Sequence, residues 1–142
     1  MLNSFRFHHI GYAVKDIEKT SRYYTNASWS LSEVQVEENQ NVKIAFLSKP
    51  SVPLIELVAP LNDTSPITSI IKRNNGVSTY HICYEVDDID AALSELRKMQ
   101  YIVLFEPLII ATMNCKICYL YNKHVGLIEI IETEFSLLSH KE

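Results

Sequence analysis

The sequence predicts an α+β fold in which one domain of 142 residues contains two tandem βαβββ modules. The first observation is a repeated strand, because residues 9–17 read HIGYAVKDI and residues 81–89 read HICYEVDDI. The second is an apolar segment with one carboxylate in each half, LIELV at 54–58 and LIEII at 127–131. Two copies of about 70 residues indicate a duplicated half-domain, since solenoid units are about 20–50 residues long.

The first module covers about residues 5–60 and begins with an alternating strand at residues 6–14. Asp16 is a suitable N-cap for a helix that ends before Asn26. The predicted apolar contacts of this helix are Ile17, Tyr23 and Tyr24. Three more strands are predicted at residues 31–37, 42–48 and 54–59, with prolines between and after them.

A linker with a short helix is predicted over residues 61–76. Pro66 lies near the start of this helix, where its missing N–H removes no intrahelical hydrogen bond. The helix continues through Lys72, and the turn-forming residues Asn74, Asn75 and Gly76 end it.

The second module covers about residues 77–134 and repeats the order of the first. A strand is predicted at residues 79–86, and either Asp87 or Asp88 caps the helix that follows. The apolar positions of this helix are Ile89, Ala92, Leu93, Leu96 and Met99. The remaining strands are predicted at residues 101–105, 115–121 and 126–132, and the tail after Glu134 is expected to fray.

The composition, 47% apolar and 21% charged, is that of a soluble globular protein. A net charge of −4 without a basic cluster disfavours nucleic acid as a partner. No apolar segment reaches the length of a transmembrane helix, and the first six residues have no signal-peptide core. We therefore expect a cytoplasmic protein that acts on a small molecule.

Three cysteines, Cys83, Cys115 and Cys118, suit a reducing compartment and free thiols. The spacing of Cys115 and Cys118 is that of a zinc or redox motif, but positions i and i+3 of a strand face opposite sides. We therefore expect buried structural cysteines.

The alternation of strand residues places both repeated histidines on the face with small or polar neighbours. His9 shares its face with Gly11 and Ala13, and His81 shares its face with Cys83 and Glu85. A single strand histidine is more often structural than a ligand, but the same residue types return at the same module positions.

A carboxylate at the same place in each apolar strand completes the pattern. Glu56 and Glu129 each interrupt a run of aliphatic residues, where an unpartnered charge is costly to bury. Two histidines and two carboxylates suit a divalent ion such as Co, Ni, Zn, Mn or Fe, with positions open for water or substrate. The sequence therefore predicts a metal site formed by His9, Glu56, His81 and Glu129.

These segments, in this order, carry a family resemblance. The matching stretches are residues 8–18, 55–60, 65–67, 80–89 and 126–132. The sequence resembles the vicinal oxygen chelate superfamily, which includes glyoxalase I, methylmalonyl-CoA epimerase and extradiol dioxygenases, and it is most similar to the epimerase-like branch. The resemblance implies an open, curled mixed sheet around a central metal-binding cleft, the four ligands named above, and a homodimer.

The resemblance also implies a reaction, in which a carboxylate moves a proton at a carbon next to a carbonyl group while a divalent metal acts as a Lewis acid. Glu129 matches one base of the epimerases. Asn39 aligns with the second base, and an amide does not accept a proton at neutral pH. A register shift of one residue makes Glu38 the candidate second base. Residues 110–114 replace the glycine-rich loop of the epimerases.

Within this resemblance, a lyase or isomerase of the methylmalonyl-CoA epimerase or lactoylglutathione lyase type is the leading hypothesis. An extradiol dioxygenase is disfavoured, because its iron is held by two histidines and one carboxylate. A small-molecule-binding protein without catalysis is the third hypothesis. In that case Glu85 orients the ligand, although a solvated carboxylate at the strand end is the simpler interpretation of this residue.

Overall fold

The computed structural model describes residues 4–133, in which three helices and ten strands occur. The helices are α1 (Ile17–Thr25), α2 (Pro66–Arg73) and α3 (Ile89–Lys98). The strands are β1 (Arg6–Ala13), β2 (Ser30–Leu31), β3 (Gln35–Glu37), β4 (Val42–Ser48), β5 (Leu54–Pro60), β6 (Ser78–Glu85), β7 (Ile102–Val103), β8 (Leu108–Ile110), β9 (Cys115–Asn122) and β10 (Gly126–Thr133). Residues 9–80 form one compact unit, the first unit, and residues 4–8 with 81–133 form the second unit.

In the first unit, β5 is parallel to β1 on one side and antiparallel to β4 on the other. Both β2 and β3 pair with β4 in the antiparallel sense. Helix α1 begins at Ile17 because the Asp16 carboxylate accepts a hydrogen bond from the Lys19 N–H at 2.9 Å. One face of the sheet buries its aliphatic side chains against α1, and the other buries them against α2.

The second unit repeats this arrangement. Strand β10 is parallel to β6 and antiparallel to β9, which also pairs with β7 and β8. Asp88, rather than Asp87, caps α3 by accepting a hydrogen bond from the Ala91 N–H at 3.1 Å. Helix α3 packs on one face of the sheet, and Cys83, Cys115 and neighbouring isoleucines form a cluster on the other. The predicted α+β class with two βαβββ modules is confirmed.

The short strands differ from the prediction. The strand expected at residues 31–37 is divided into β2 and β3, and the strand expected at residues 101–105 is reduced to Ile102–Val103. An additional strand, β8, overlaps residues 110–114, the segment predicted to replace a loop, only at Ile110. Strands of two or three residues are too short to show a periodicity in their sequence. Their positions depend on pairing with β4 or β9.

Each module also contains a 3-10 turn that was not predicted. The turns at Glu38–Gln40 and Ala111–Met113 lead into Asn41 and Asn114, whose φ angles are +59° and +50°. Asparagine tolerates this left-handed conformation better than most residues. The two asparagines lie 73 positions apart, the same offset as the repeated glutamates.

Two predicted helix contacts are wrong. Tyr23 is 82% exposed, because α1 buries the face that carries Ile17 and Ser21. Met99 follows α3 as its C-cap and is 45% exposed. The predicted frayed tail after Glu134 lies outside the described residues. Among residues 4–133, no helix is long and apolar enough to cross a membrane.

Candidate metal centre

The first unit contains a buried histidine and glutamate side by side. Gly11 is the register partner of Glu56 on β5, and His9 lies two residues before Gly11 on the same face of β1. His9 and Glu56 therefore lie on neighbouring strands with their side chains on one face of the sheet. The His9 Nε2 atom lies 3.5 Å from Glu56 Oε1, and the two side chains are 1% and 6% exposed.

The second unit contains the equivalent pair. Cys83 is the register partner of Glu129 on β10, and His81 lies two residues before Cys83 on β6. The His81 Nε2 atom lies 3.1 Å from Glu129 Oε1, and the two side chains are 0% and 5% exposed. All four predicted ligands are therefore buried, and within each unit the histidine and the glutamate lie side by side.

The distances within each pair suit two donors to one ion. Donor atoms about 2.1 Å from an ion lie roughly 3.0 Å apart at a right angle and 3.4 Å apart at a tetrahedral angle. The His81–Glu129 distance of 3.1 Å falls between these two values, and the His9–Glu56 distance of 3.5 Å lies just above the tetrahedral one. An imidazole nitrogen and a carboxylate oxygen are also a donor set that divalent transition metals prefer.

An aromatic ring beside each histidine was missed by the sequence reasoning. Phe46 is the register partner of Glu56, and its ring meets the His9 ring edge-on with centroids 5.6 Å apart. Tyr119 is the register partner of Glu129 and meets His81 in the same way at 5.3 Å. These rings limit the rotation of the imidazoles. The 73-residue offset of Phe46 and Tyr119 would have identified them.

Glu85 is buried and paired, so the interpretation as a solvated strand-end carboxylate is wrong. It lies on the His81 face of β6 but is only 6% exposed. The Thr133 hydroxyl donates a hydrogen bond to Glu85 Oε2 at 2.7 Å, and Arg6 Nε lies 3.6 Å from Glu85 Oε1. These partners compensate the cost of burying the carboxylate.

The segment predicted to supply a second base contains one buried carboxylate. Glu38 and Asn39 are exposed in the 3-10 turn, whereas Glu37 is 8% exposed. Glu37 pairs with Val42, which pairs with Pro60. Alternation along β5 therefore places Glu37 on the face of the sheet that carries Glu56. Helix α2 also packs on that face.

The three cysteines are buried thiols outside any disulfide, as predicted. Cys115 and Cys118 belong to clusters on opposite faces of the second unit's sheet, which disfavours a shared zinc ion. The pKa of the Cys118 thiol is raised to about 11, mainly by burial. The Glu106 carboxylate also raises this pKa, by more than Arg97 lowers it. The thiol donates a hydrogen bond to the Phe105 carbonyl at 3.1 Å.

We expect Cys118 to resist alkylation in the folded protein. With a pKa of about 11, roughly one thiol in a thousand is ionised at pH 8, and only the thiolate reacts. Treatment with iodoacetamide followed by peptide mass spectrometry should show Cys118 modified only after denaturation. Rapid modification of Cys118 in the native protein would contradict this description of the second unit's core.

Known proteins are similar to this chain in sequence and in fold. A family model of the Glyoxalase/Bleomycin resistance protein/Dioxygenase superfamily matches residues 8–119. Mitochondrial methylmalonyl-CoA epimerase of Mus musculus is 31% identical over 85% of this chain and 68% of its own length. The crystal structure of methylmalonyl-CoA epimerase from Mycobacterium tuberculosis is 25% identical, covers 94% of this chain and 91% of its own, and has a TM-score of 0.82.

A third similar protein is a methylmalonyl-CoA epimerase solved in complex with methylmalonyl-CoA and NH4+. It is 25% identical, covers 93% of this chain and 96% of its own, and has a TM-score of 0.81. All three similar proteins named here are methylmalonyl-CoA epimerases.

Proposed function

Because the chain belongs to the Glyoxalase/Bleomycin resistance protein/Dioxygenase superfamily, also known as vicinal oxygen chelate proteins, we propose that it is a divalent-metal-dependent isomerase. Its substrate is a small carbonyl compound, and an acyl-CoA thioester of the methylmalonyl-CoA type is the first candidate. The observation that carries this proposal is the pair of buried histidine–glutamate contacts at equivalent strand positions. The similarity to methylmalonyl-CoA epimerases supports the choice of substrate.

Both histidine–glutamate pairs belong to the proposed metal site. His9, Glu56, His81 and Glu129 together hold one ion, which is Co, Ni, Zn, Mn or Fe. Their burial supports this role, because a carboxylate removed from water is stabilised by a cation. A bound ion supplies Lewis-acid stabilisation of negative charge on the substrate oxygens.

Glu129 is the proposed base for the carbon next to the thioester carbonyl. It takes the proton from that carbon, and the electron pair of the broken C–H bond is delocalised onto the carbonyl oxygen, which gives a planar enolate-like intermediate. A second group, in its protonated form, gives a proton to the opposite face of this carbon, so the product has inverted configuration. Burial of Glu129 keeps its carboxylate away from bulk water, which would compete for the proton.

Glu38 is the predicted second base, which in its protonated form gives the proton back, and Glu37 is the alternative in the same segment. We expect Glu38→Gln to slow epimerisation about 100-fold, since positioned acid–base groups contribute about 100- to 10,000-fold. Because Glu129 remains, solvent deuterium should still enter the epimer whose proton Glu129 removes. Mass spectrometry of each methylmalonyl-CoA epimer in deuterium oxide measures both effects, and Glu37→Gln is the matched comparison. If only Glu37→Gln separates exchange from inversion, the role belongs to Glu37.

A lactoylglutathione lyase type of activity is the second candidate. It is favoured by the equivalence of Glu56 and Glu129, which occupy the same position in the two modules and present two carboxylates without requiring Glu38. The test is a comparison of methylmalonyl-CoA with the hemithioacetal of methylglyoxal and glutathione, using protein loaded with each of the five metals. Turnover of neither compound, together with tight binding of one, would support the non-catalytic binding protein. Assembly as a homodimer and location in the cytoplasm stay predictions.

A further inference from the structure

A hollow on the first unit lies on the face of β1 opposite to His9. It has a volume of about 360 Å³ and is lined by Tyr12, Lys19, Thr20, Tyr23, Tyr24 and Val77. We call it the tyrosine hollow. Tyr12 packs with Val14 and Ile17 on the α1 side of the sheet, and alternation places His9 on the other side. The tyrosine hollow is therefore separate from the histidine–glutamate pair of this unit.

Aromatic rings dominate the lining. Tyr23 is 82% exposed, which is unusual for a large ring, whereas Tyr12 and Tyr24 are partly buried. Burial raises the pKa of Tyr24, and the hydrogen-bonded hydroxyl of Tyr12 raises it further. The Tyr24 hydroxyl therefore keeps its proton at neutral pH. Three tyrosine rings provide flat apolar surfaces with polar hydroxyl groups at their edges.

The charge of the hollow is positive. Lys19 is exposed, and within residues 4–133 no carboxylate forms an ion pair with its ammonium group. Of the neighbouring charges on α1, Glu18 is paired with Arg22, whose Nη2 atom lies 3.0 Å from Glu18 Oε1. The Asp16 carboxylate caps the helix by accepting a hydrogen bond from the Lys19 backbone N–H at 2.9 Å. Lys19 thus attracts an anionic group and disfavours a cationic ligand, although tyrosine rings alone attract cations.

The second module shows that the fold does not require these residues. Asp16 and Asp88 cap α1 and α3 in the same way, and they fix an offset of 72 positions. At this offset, the residues that correspond to Lys19, Thr20, Tyr23 and Tyr24 are Ala91, Ala92, Glu95 and Leu96. Helix α3 forms and packs with these residues. Helix formation at this place in the module therefore does not require the cation or the exposed ring.

We propose that the tyrosine hollow is a second binding site, for a small planar aromatic anion. The ring of the ligand lies against the tyrosine rings, and its carboxylate or phosphate group meets the Lys19 ammonium and the Thr20 hydroxyl. Ligand pockets in proteins have volumes of about 300–1,000 Å³, and the hollow lies at the lower end of this range. A single substituted ring is therefore the expected size.

Trp29 provides a direct readout. It is the single tryptophan of the chain, and its ring lies edge-on to Tyr24 with centroids 5.5 Å apart. Titration with benzoate should change the Trp29 fluorescence in a saturable way. Benzylamine and cyclohexanecarboxylate are the comparison probes, because one reverses the charge and the other removes the planar ring. We expect both to bind at least about threefold more weakly than benzoate.

Variants test the assignment of the site. Tyr23→Ala and Lys19→Gln should each weaken benzoate binding about three- to tenfold, whereas Lys98→Gln on α3 should not change it. The titration is repeated after metal removal with EDTA, because a carboxylate also binds metal ions. Binding that disappears with the metal, equal affinity for all three probes, or an unchanged affinity in both variants would overturn the proposal.

Discussion

Replacement of Glu129 by glutamine is expected to reduce the exchange of the acidic substrate proton at least about 1,000-fold. The amide cannot accept a proton, and it is a weaker metal ligand than a carboxylate, so both proposed roles of Glu129 are lost. The measurement is deuterium incorporation into methylmalonyl-CoA from deuterium oxide, followed by mass spectrometry. Because glutamine has the same shape as glutamate, the fold of the second unit should be retained.

The control for this experiment is Glu106→Gln, which changes a carboxylate whose side chain is 87% exposed. Its exchange rate should equal that of the parent protein. A Glu129→Gln variant that binds metal normally and still exchanges the proton at the parental rate would exclude Glu129 as the base.

Replacement of His81 by alanine is expected to weaken metal binding by more than about 100-fold. Loss of a residue that only supports a metal ligand typically costs about 10- to 100-fold in affinity, and loss of a ligand itself costs more. His9→Ala should have a similar effect, because the two histidines occupy equivalent strand positions and are both buried. Competition with a fluorescent zinc chelator measures the affinity of each variant.

His124→Ala is the control, because His124 is exposed in the turn between β9 and β10. This variant should keep the parental metal affinity. If His124→Ala lost metal and His81→Ala retained it, the assignment of His81 as a ligand would be wrong.

The parts of the fold that the sequence predicts well are those with long periodic patterns. Alternation over eight residues identified both histidine strands and their faces, and an aspartate before each main helix identified the helix start. The short strands β2, β3 and β8 were not separated correctly, because two or three residues contain no measurable period. Their positions are set by hydrogen bonds to β4 and β9, which the sequence does not reveal.

The candidate site shows the same limit. The internal repeat identified His9, Glu56, His81 and Glu129, because two copies of one module make equivalent positions visible. The repeat contains no information about residues that differ between the modules, such as Glu37 and Ile110, which occupy equivalent positions before the two 3-10 turns. The burial of Glu85 also escaped prediction, since it depends on Arg6 and Thr133, which are distant in the sequence.

We propose that His9, Glu56, His81 and Glu129 hold one divalent ion, and the number of metal ions bound per chain is the decisive measurement. Protein purified without a chelating tag would be saturated with Co, Ni, Zn, Mn or Fe in turn, desalted, and assayed for metal per chain by mass spectrometry. We expect one ion per chain in the parent, and none in His9→Ala or in His81→Ala. Two ions per chain, with one retained in each variant, would show that each pair binds separately. No bound ion with any of the five metals would contradict the proposed metal dependence.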